Sequence, residues 1–538
     1  MSSKTQVLIV NNIKLPLNAS INEAFSIARE KIARSAINTQ GLKYSIYKKS
    51  VDARNKSDVH FVYSVLVTGY DGNVNTARLS KNGISVSESS ELVIPMQGSE
   101  EMKAPPLVVG SGPAGLFCAL LLAEKGYNPT LIERGGSIAE RQNAVRIFNE
   151  LGILDKESNI QFGAGGAGTF SDGKLVTRIN DPLTSYIFKR LVEFGAPEEI
   201  LYSARPHVGT DVLCKVVDNV LLRISDLGGR VIFNTKYLTS ERIGEVDVAK
   251  TSNGDIPYSA IILAIGHSAR DTYERLIAEG YALEAKSISV GMRIEHKSRD
   301  IDTALYGDFA GHPALGHAEY NLSHNTKVRG VYTFCMCPGG EVVAAASEDN
   351  GVVVNGMSHH ARDGENSNCA VVCSIFKEDY GATPIGAIEF QRKIERAAFK
   401  AGGSDYSAPI ITVGDFFNDT CTKDPYYVKP TYRNGEHVKL CSPKEYLPSV
   451  VSSAISDALL LFDRKIHGFA APGAVLTGAE TRTSAPVRIM RDPDTRLAFG
   501  KHNVYPIGEG AGYAGGITSA AIDGVRTAIS LIARYKPF

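Results

Sequence analysis

Residues Gly110-Ser111-Gly112-Pro113-Ala114-Gly115 spell G-x-G-x-x-G, and a lone acid, Glu133, follows eighteen residues after the last glycine. These types at this spacing can hold a dinucleotide. Gly110 permits a tight turn, Gly112 lets the backbone approach a pyrophosphate, and Gly115 lets a helix pack against its strand. The helix start presents free N–H groups and a positive dipole end to the phosphates. Glu133 would accept a hydrogen bond from a ribose 2′-hydroxyl and repel a 2′-phosphate, which disfavours NADP and leaves NAD and FAD open.

The elements needed to position this turn are written around it. Leu107-Val108-Val109 reads as a strand. Leu116, Ala119, Leu120 and Ala123 have helical spacing up to Gly126, and Thr130-Leu131-Ile132 reads as a second strand. The stretch "QFGAGGAGTFSDGKL", Gln161 to Leu175, comes next. Its Gly168-x-x-x-x-Gly173-Lys174 nearly matches a phosphate-binding NTPase loop, but Leu175 replaces the magnesium-binding Ser or Thr and no apolar strand leads in. The glycine density (Gly163, Gly165, Gly166, Gly168), with Thr169 beside it, instead suits backbone passing close to a flat ligand or its diphosphate. A buried strand, Ala260 to Ala264, ends at Gly266. Near the C-terminus, Val504 to Ile507 reads as a strand, Gly508-Glu509-Gly510 as a tight turn, and a helix begins near Gly516 through Ile517, Ala520, Ala521 and Val525. A helix N-terminus there can face a ring system that carries negative charge when reduced.

The rest of the chain sets the organisation. Its 538 residues suffice for about three domains of ~150 residues. With 43% hydrophobic and 22% charged residues it has an ordinary globular composition. Lys+Arg and Asp+Glu both total 58, so no global field favours nucleic acid or an anionic membrane. No run approaches the ~18 apolar residues of a membrane span, and the N-terminus lacks the apolar core of a signal peptide. Eight scattered cysteines do not make a disulfide framework. A cytoplasmic protein with reduced thiols is expected.

An N-terminal α+β domain is expected over 1–98. It has a strand at Gln6–Val10, a helix capped by Ser20 and Glu23 with Ile21, Ala24, Phe25, Ala28 and Ile32 on one face, and strands at Leu42–Tyr47 and Val59–Thr68. Lys48, Lys49, Arg54 and Lys56 crowd the intervening loop, which reads as a solvated turn ahead of a nucleic-acid surface. "MQGSEEMKAPP" reads as a linker. A dinucleotide domain then covers 104–286 and resumes over 451–538, and 287–450 is inserted between its parts. The insert carries strand patterns in "SISVGMRIEH", "VRGVYTFCMC" and "GEVVAAAS".

The three glycine-marked regions together resemble flavoproteins of the glutathione-reductase type. Those proteins join an N-terminal G-x-G-x-x-G unit, a middle strand ending in Gly, and a C-terminal G-[DE] turn on one FAD. Glu509 stands where that pattern usually has Asp contacting the ribityl chain. More narrowly, "ERGGSIAERQ", "QFGAGGAGTFSDGKL", "PHVGTD", "CMCPGGEVV" and "GAETRTSAPVRI" resemble a bacterial family of FAD-dependent dehydrogenases of unassigned substrate, over nearly the whole chain.

The resemblance implies non-covalent FAD in an α/β fold: a discontinuous Rossmann-like domain, an inserted mixed β-sheet substrate domain and the small N-terminal domain. The expected cofactor contacts are Gly110, Ser111, Gly112, Pro113, Ala114, Gly115, Glu133, Arg134, Arg141, Gly163, Gly165, Gly166, Gly168, Thr169, Gly266, Gly508, Glu509, Gly510, Gly516 and Ile517. No second G-x-G-x-x-G with a ribose acid follows, so either NAD(P)H binds transiently or another donor feeds the flavin.

Catalytic residues are harder to read. Cys335 and Cys337 fit a redox dithiol or two thiols on one face of a strand. Arg482 and Arg488 fit binding of a substrate anion or pairing with Glu480 and Asp492. His312, His317, His324 and the pair His359-His360 lack metal-ligand spacing, so no metal is expected. No G-x-S-x-G elbow supports esterase chemistry. The expectation is an FAD-dependent oxidoreductase of a small, anionic molecule, without membrane or nucleic-acid partners. The alternative is a non-catalytic flavin module whose N-terminal domain docks onto RNA or protein.

Overall fold

The computed structural model describes residues 5–70, 76–89, 92–177, 181–325, 329–422 and 424–538, and every candidate site residue lies within them. The dinucleotide domain is organised on a five-stranded parallel sheet in the order Val504–Pro506, Ile261–Leu263, Leu107–Val109, Thr130–Ile132, Arg230–Ile232. The central strands are continuous apolar runs because both faces are covered, one by helices and the other by a three-stranded antiparallel sheet of Tyr237–Ile243, Val246–Thr251 and Gly254–Tyr258. The helix Pro113–Glu124 is buried nearly all round and packs against the C-terminal helix Ile517–Arg534. They approach closely at Gly524, where a side chain would stand 2.1 Å from the Ala114 carbonyl oxygen.

The chain leaves this domain through Leu283–Ala285 and returns through Val487–Ile489, and the two segments pair antiparallel as a neck. Beyond the neck lies a seven-stranded sheet in the order Ser323–Asn325, Gly330–Cys337, Asn366–Ile375, Ile288–Lys297, Val475–Glu480, Ala408–Thr412, Val438–Leu440. Val475–Glu480 pairs with Ile288–Lys297 deep in that sheet, so the insert runs past the expected boundary at residue 450. The helix Ser449–Lys465 also packs on the sheet rather than on the dinucleotide domain.

The N-terminal sheet has the order Lys43–Asp52, His60–Thr68, Thr5–Pro16, Ile84–Ser89. Helix Ile21–Arg34 carries the Ser20/Glu23 capping box and buries Ala24, Ala28 and Ile32. The strand expected to end at Tyr47 continues to Asp52, which turns half of the basic loop into sheet edge. Lys49 donates its N–H to the Tyr202 carbonyl (2.7 Å) and accepts from Ala204 (2.8 Å) through its own carbonyl. That edge is docked on the protein's own dinucleotide domain. Nor is the linker a loose tether: Gly98 and Glu100 donate backbone N–H groups to the Ile532 and Arg534 carbonyls, at 2.8 and 3.2 Å. Among the described residues no helix is long and apolar enough to cross a membrane.

Candidate functional site

The strand Leu107–Val109 ends in the glycine turn, and two of its glycines are required by backbone contact. A side chain on Gly110 (φ +101°) would stand 2.4 Å from the Ala264 carbonyl oxygen, and one on Gly115 would stand 1.9 Å from the Gly110 carbonyl oxygen. Gly112 differs. It is the N-cap of Pro113–Glu124 without a side-chain cap, and a side chain placed there would find its nearest neighbour, Gly166 Cα, only at 3.9 Å. Open space in front of free N–H groups fits a bound phosphate. The second helix start, at Gly516, also lacks a side-chain cap, and the space around Gly515 and Gly516 is clear to 4 Å.

Both helix starts open into one cleft of about 340 Å³. Its walls come from all three glycine regions and from the insert: Gly110, Gly112–Ala114, Glu133 and Arg134, Gly166–Gly168, Ala264–Ala269, Ile507–Gly510, Gly515–Ile517, then Phe334, Cys335, Asn355, Glu480, Arg482 and Thr483. Two polar atoms in the walls, Gln161 Nε2 and His267 Nε2, are buried without a hydrogen-bond partner among the described residues. Both are buried behind the cleft surface, so the fit rests instead on the two uncapped helix starts and the open space before them. The residues present fit a dinucleotide on these grounds.

Several expected contacts lie behind the wall. Arg141 is fully buried, and its guanidinium donates to the carbonyls of Asn159 (2.8 Å), Ile160 (2.8 Å), Ala164 (2.7 Å) and Gly166 (2.8 Å). It holds the glycine loop in shape and does not line the cleft. Ser111, Gly115, Gly163, Gly165 and Thr169 also stand behind the lining. Glu133 lines the cleft, but its carboxylate already accepts from Ser111 N–H (2.9 Å), Ser111 Oγ (2.7 Å), Gly135 N–H (3.1 Å) and Gly163 N–H (3.0 Å). It clasps the turn to the glycine loop. Arg134 lines the cleft while paired with Glu157 (2.6 Å) and Asp271 (3.0 Å).

The two strand ends that close the cleft are locked by Tyr273, whose hydroxyl donates to the carbonyls of Gly266 (3.1 Å) and Gly510 (2.7 Å). Asp523, on the C-terminal helix, accepts from Gly508 N–H at 2.7 Å and from Arg491 at 2.7 Å. Sequence reasoning missed Asp523, since nothing local marks it. It also missed His267, although that residue directly follows Gly266.

The arginines and cysteines depart from their expected pairings. Arg482 is forked onto Glu395 (Nε–Oε1 3.2 Å, Nη2–Oε2 3.1 Å), a carboxylate it shares with Arg270 (2.7 Å), and not onto Glu480. Arg488 is outside the cleft lining, over the Tyr513 ring and donating to the Gly512 carbonyl at 3.3 Å, with no bond to Asp492. Glu480 pairs with buried Arg293 at 2.9 Å. The strand Gly330–Cys337 does not alternate regularly through its thiols. Its register shifts after Phe334 and Cys335 takes φ +42°, so Cys335 lines the cleft while Cys337 is buried.

The electrostatics of the insert side follow. The hydrogen bond from Cys337 outweighs burial, with help from the charges of Arg293 and Lys174, and holds the Cys335 thiol below its ordinary value while Cys337 is pushed up. Burial alone would raise the Asp172 carboxyl, but Lys174 and Arg362 hold it at about 2. Asp172 anchors Lys174 (2.5 Å) on the cleft wall.

The comparisons agree with this architecture. Residues 287–483 match the family described as "FAD-dependent protein, C-terminal domain-like", residues 108–158 match an NAD(P)-binding Rossmann-like domain, and residues 8–68 match a domain of unknown function. An uncharacterised protein of Clostridium beijerinckii is 44% identical over 530 residues, 98% of each chain. The crystal structure of CtdE in complex with FAD is 12% identical, with a TM-score of 0.32 over 79% of this chain and 84% of that one. Native FqzB is 12% identical, with a TM-score of 0.34 over 81% and 77%. Both likenesses are too distant to bear on chemistry. The family resemblance read from the glycine regions and the signature stretches therefore stands on the chain's own relatives: this chain belongs, with the Clostridium beijerinckii protein, to a family of FAD-dependent proteins, and FAD is its cofactor.

Proposed function

We propose that the protein is an oxidoreductase that holds FAD non-covalently and uses it on a small-molecule substrate admitted beside the insert. When bound, FAD supplies the capacity to take up and release two electrons. The N–H groups at Gly112 and Gly516 would hold its diphosphate and ring system, and Glu133, Gly266 and Glu509 would meet the intervening sugar and ribityl hydroxyls. The observation that carries the reading is the reach of the cleft. It continues past the glycine cradle to side chains of a separate domain, Phe334, Cys335, Asn355 and Glu480, which a module built only to store a flavin does not need.

Those residues orient and enclose. Phe334 is 41% exposed and Val176 56%, and both line the cleft, so they offer an apolar rest for a substrate body. Lys174, paired with Asp172 at 2.5 Å but still 25% exposed, is the cation next to them, and the anionic substrate expected from the sequence would share it with that carboxylate. NAD(P)H as a transient donor is retained as one candidate reductant.

The test is to denature and desalt the purified protein, identify the released flavin, and then screen reductants and metabolite pools for bleaching of the bound flavin. FAD release with bleaching by one class of compound supports the reading. Tightly bound flavin that no compound reduces, with RNA or protein co-purifying, favours the non-catalytic module.

A further inference from the structure

Cys335 and Cys337 are treated unequally by the fold. The strand Gly330–Cys337 carries one extra residue between Phe334 and Cys337, opposite Ala370 and Asn368. Cys335 sits in this bulge with φ +42°, a conformation unfavourable for any residue but glycine, and it lines the cleft partly exposed. Cys337 is buried directly behind it. The two thiols stay together: Cys337 Sγ lies 3.4 Å from the Cys335 carbonyl oxygen, and its thiol hydrogen-bonds the Cys335 sulfur. Arg293 closes the group from the rear, donating to the same carbonyl and approaching Cys337 Sγ at 3.7 Å. An accessible sulfur with a sheltered one touching it is the arrangement that thiol–disulfide exchange uses, the first to attack and the second to resolve.

We propose that Cys335 and Cys337 close reversibly to a disulfide, exchange two electrons with the bound flavin, and pass them at Cys335 to a small disulfide substrate. The inference rests on the oxidoreductase reading, because the flavin is the pair's partner in the exchange. Closing the pair breaks two S–H bonds and forms one S–S bond, releasing two electrons and two protons. Reopening it takes two electrons from reduced FAD together with two protons. At the cleft, Cys335 gives up its proton and attacks one sulfur of the substrate, whose other sulfur leaves and takes a proton. Cys337 then gives up its proton and attacks the Cys335 sulfur, and the second substrate sulfur leaves as a thiol. The substrate gains the two electrons and two protons that the pair loses.

The surroundings separate the two roles. The charges of Arg293 and Lys174 favour the thiolate at Cys335, while burial keeps Cys337 protonated, so attack falls to the sulfur that the cleft reaches. Cys335 stands beside Phe334 on the insert wall, beyond the glycine cradle that receives the diphosphate, in the part of the cleft left to a substrate. Among the described cysteines no other lines the cleft.

The experiment follows the two sulfurs directly. FAD-loaded wild type is oxidised with diamide, desalted, made anaerobic with EDTA, and divided between darkness and light, which drives electrons into the flavin. Each half is denatured with iodoacetamide and no reductant, and the peptide holding Cys335 and Cys337 is weighed. It should carry no label from the dark half and two labels from the illuminated half. Two labels in the dark, or a disulfide still closed after the flavin has bleached, overturns the pair. Dithionite should then deliver two more electrons per FAD to oxidised wild type than to Cys337→Ser, and equal uptake overturns the pair as well. Finally, dithiodipropionate added anaerobically to illuminated, EDTA-free protein should restore flavin absorbance in wild type and not in Cys335→Ser. No recovery in wild type, or equal recovery in both, overturns the disulfide substrate. The labelling arm needs no variant, so it decides even if a serine variant loads poorly. FAD-loaded wild type that fails these arms overturns the pair alone, whereas wild type that takes up no FAD overturns the oxidoreductase reading with it.

Discussion

Arg293 and Glu480 meet at 2.9 Å with both side chains out of solvent, and Arg293 also donates to the Cys335 carbonyl and approaches Cys337 Sγ at 3.7 Å. One buried cation thus holds the bulge that turns Cys335 toward the cleft. Removing a single partner from a buried pair of this kind typically costs about 3–5 kcal/mol, because the other charge is stranded. Arg293→Met should therefore unfold at markedly lower denaturant than wild type, and chemical denaturation checks it.

Cys335 should be a reactive thiol. Iodoacetamide labelling, mapped by peptide mass, should reach half its maximal rate well below the pH of an ordinary thiol, because the Cys337 hydrogen bond and the charges of Arg293 and Lys174 favour the Cys335 thiolate. Cys337→Ala removes the hydrogen bond that contributes most to this shift, and should move the profile up toward the ordinary thiol range of about 8.5. A Cys335 labelling profile indistinguishable from that of a free thiol would overturn this account.

Gly112 and Gly115 should respond differently to the same substitution. Space around Gly112 is open on the protein side, so Gly112→Val should fold and lose FAD because the side chain occupies the phosphate's place. At Gly115 the added carbon would meet the Gly110 carbonyl oxygen at 1.9 Å, so Gly115→Val should lose stability as well as flavin. Melting temperature and flavin content, measured on both, separate the two effects.

Acid should weaken the insert's attachment through Asp172. Its carboxyl is held at about 2 in the folded protein, below its ordinary 3.8. A carboxyl depressed by folding stabilises above its unfolded value, and that contribution is lost as pH falls through the folded one. About 2 kcal/mol should therefore disappear between roughly pH 4 and pH 2. In urea titrations wild type should lose ground to Asp172→Asn across that window and not above it.

Arg482→Lys distinguishes a structural from a substrate role for that residue. Lysine cannot reproduce the two-point contact with Glu395, so melting temperature and flavin occupancy should fall together, by about 1–3 kcal/mol of stability. The reduction rate per bound FAD should stay near wild type. A stable, fully loaded variant with slowed reduction would restore Arg482 to the substrate site.

Truncation should expose the linker's part in the fold. Leu92, Ile94 and Met102 pack against the dinucleotide core, and Gly98 and Glu100 bond the C-terminal helix. A chain starting at residue 92 should bind FAD with near-normal stability. One starting at residue 104 should bind FAD but melt lower, as calorimetry on the two can establish.

The sequence by itself determined the cofactor apparatus. The strand, the glycine turn, its helix and the acid at Glu133 are contiguous, and a turn's geometry depends on neighbours a few residues away, so residue types at fixed spacing suffice. The middle strand ending at Gly266 and the turn at Gly508 were legible for the same reason. Tertiary structure alone decided what the charged residues do. Arg482 finds Glu395 from 87 positions away in sequence, and Arg293 finds Glu480 from 187. Which acid a buried arginine meets depends on how strands and helices far apart in sequence come together within the insert, and no local pattern carries that. Arg141 was misread as a cofactor contact because four backbone carbonyls, invisible in a string of glycines, claim its guanidinium first. The orientation of Cys335 turned on a register shift, since displacing a strand by one residue exchanges its two faces.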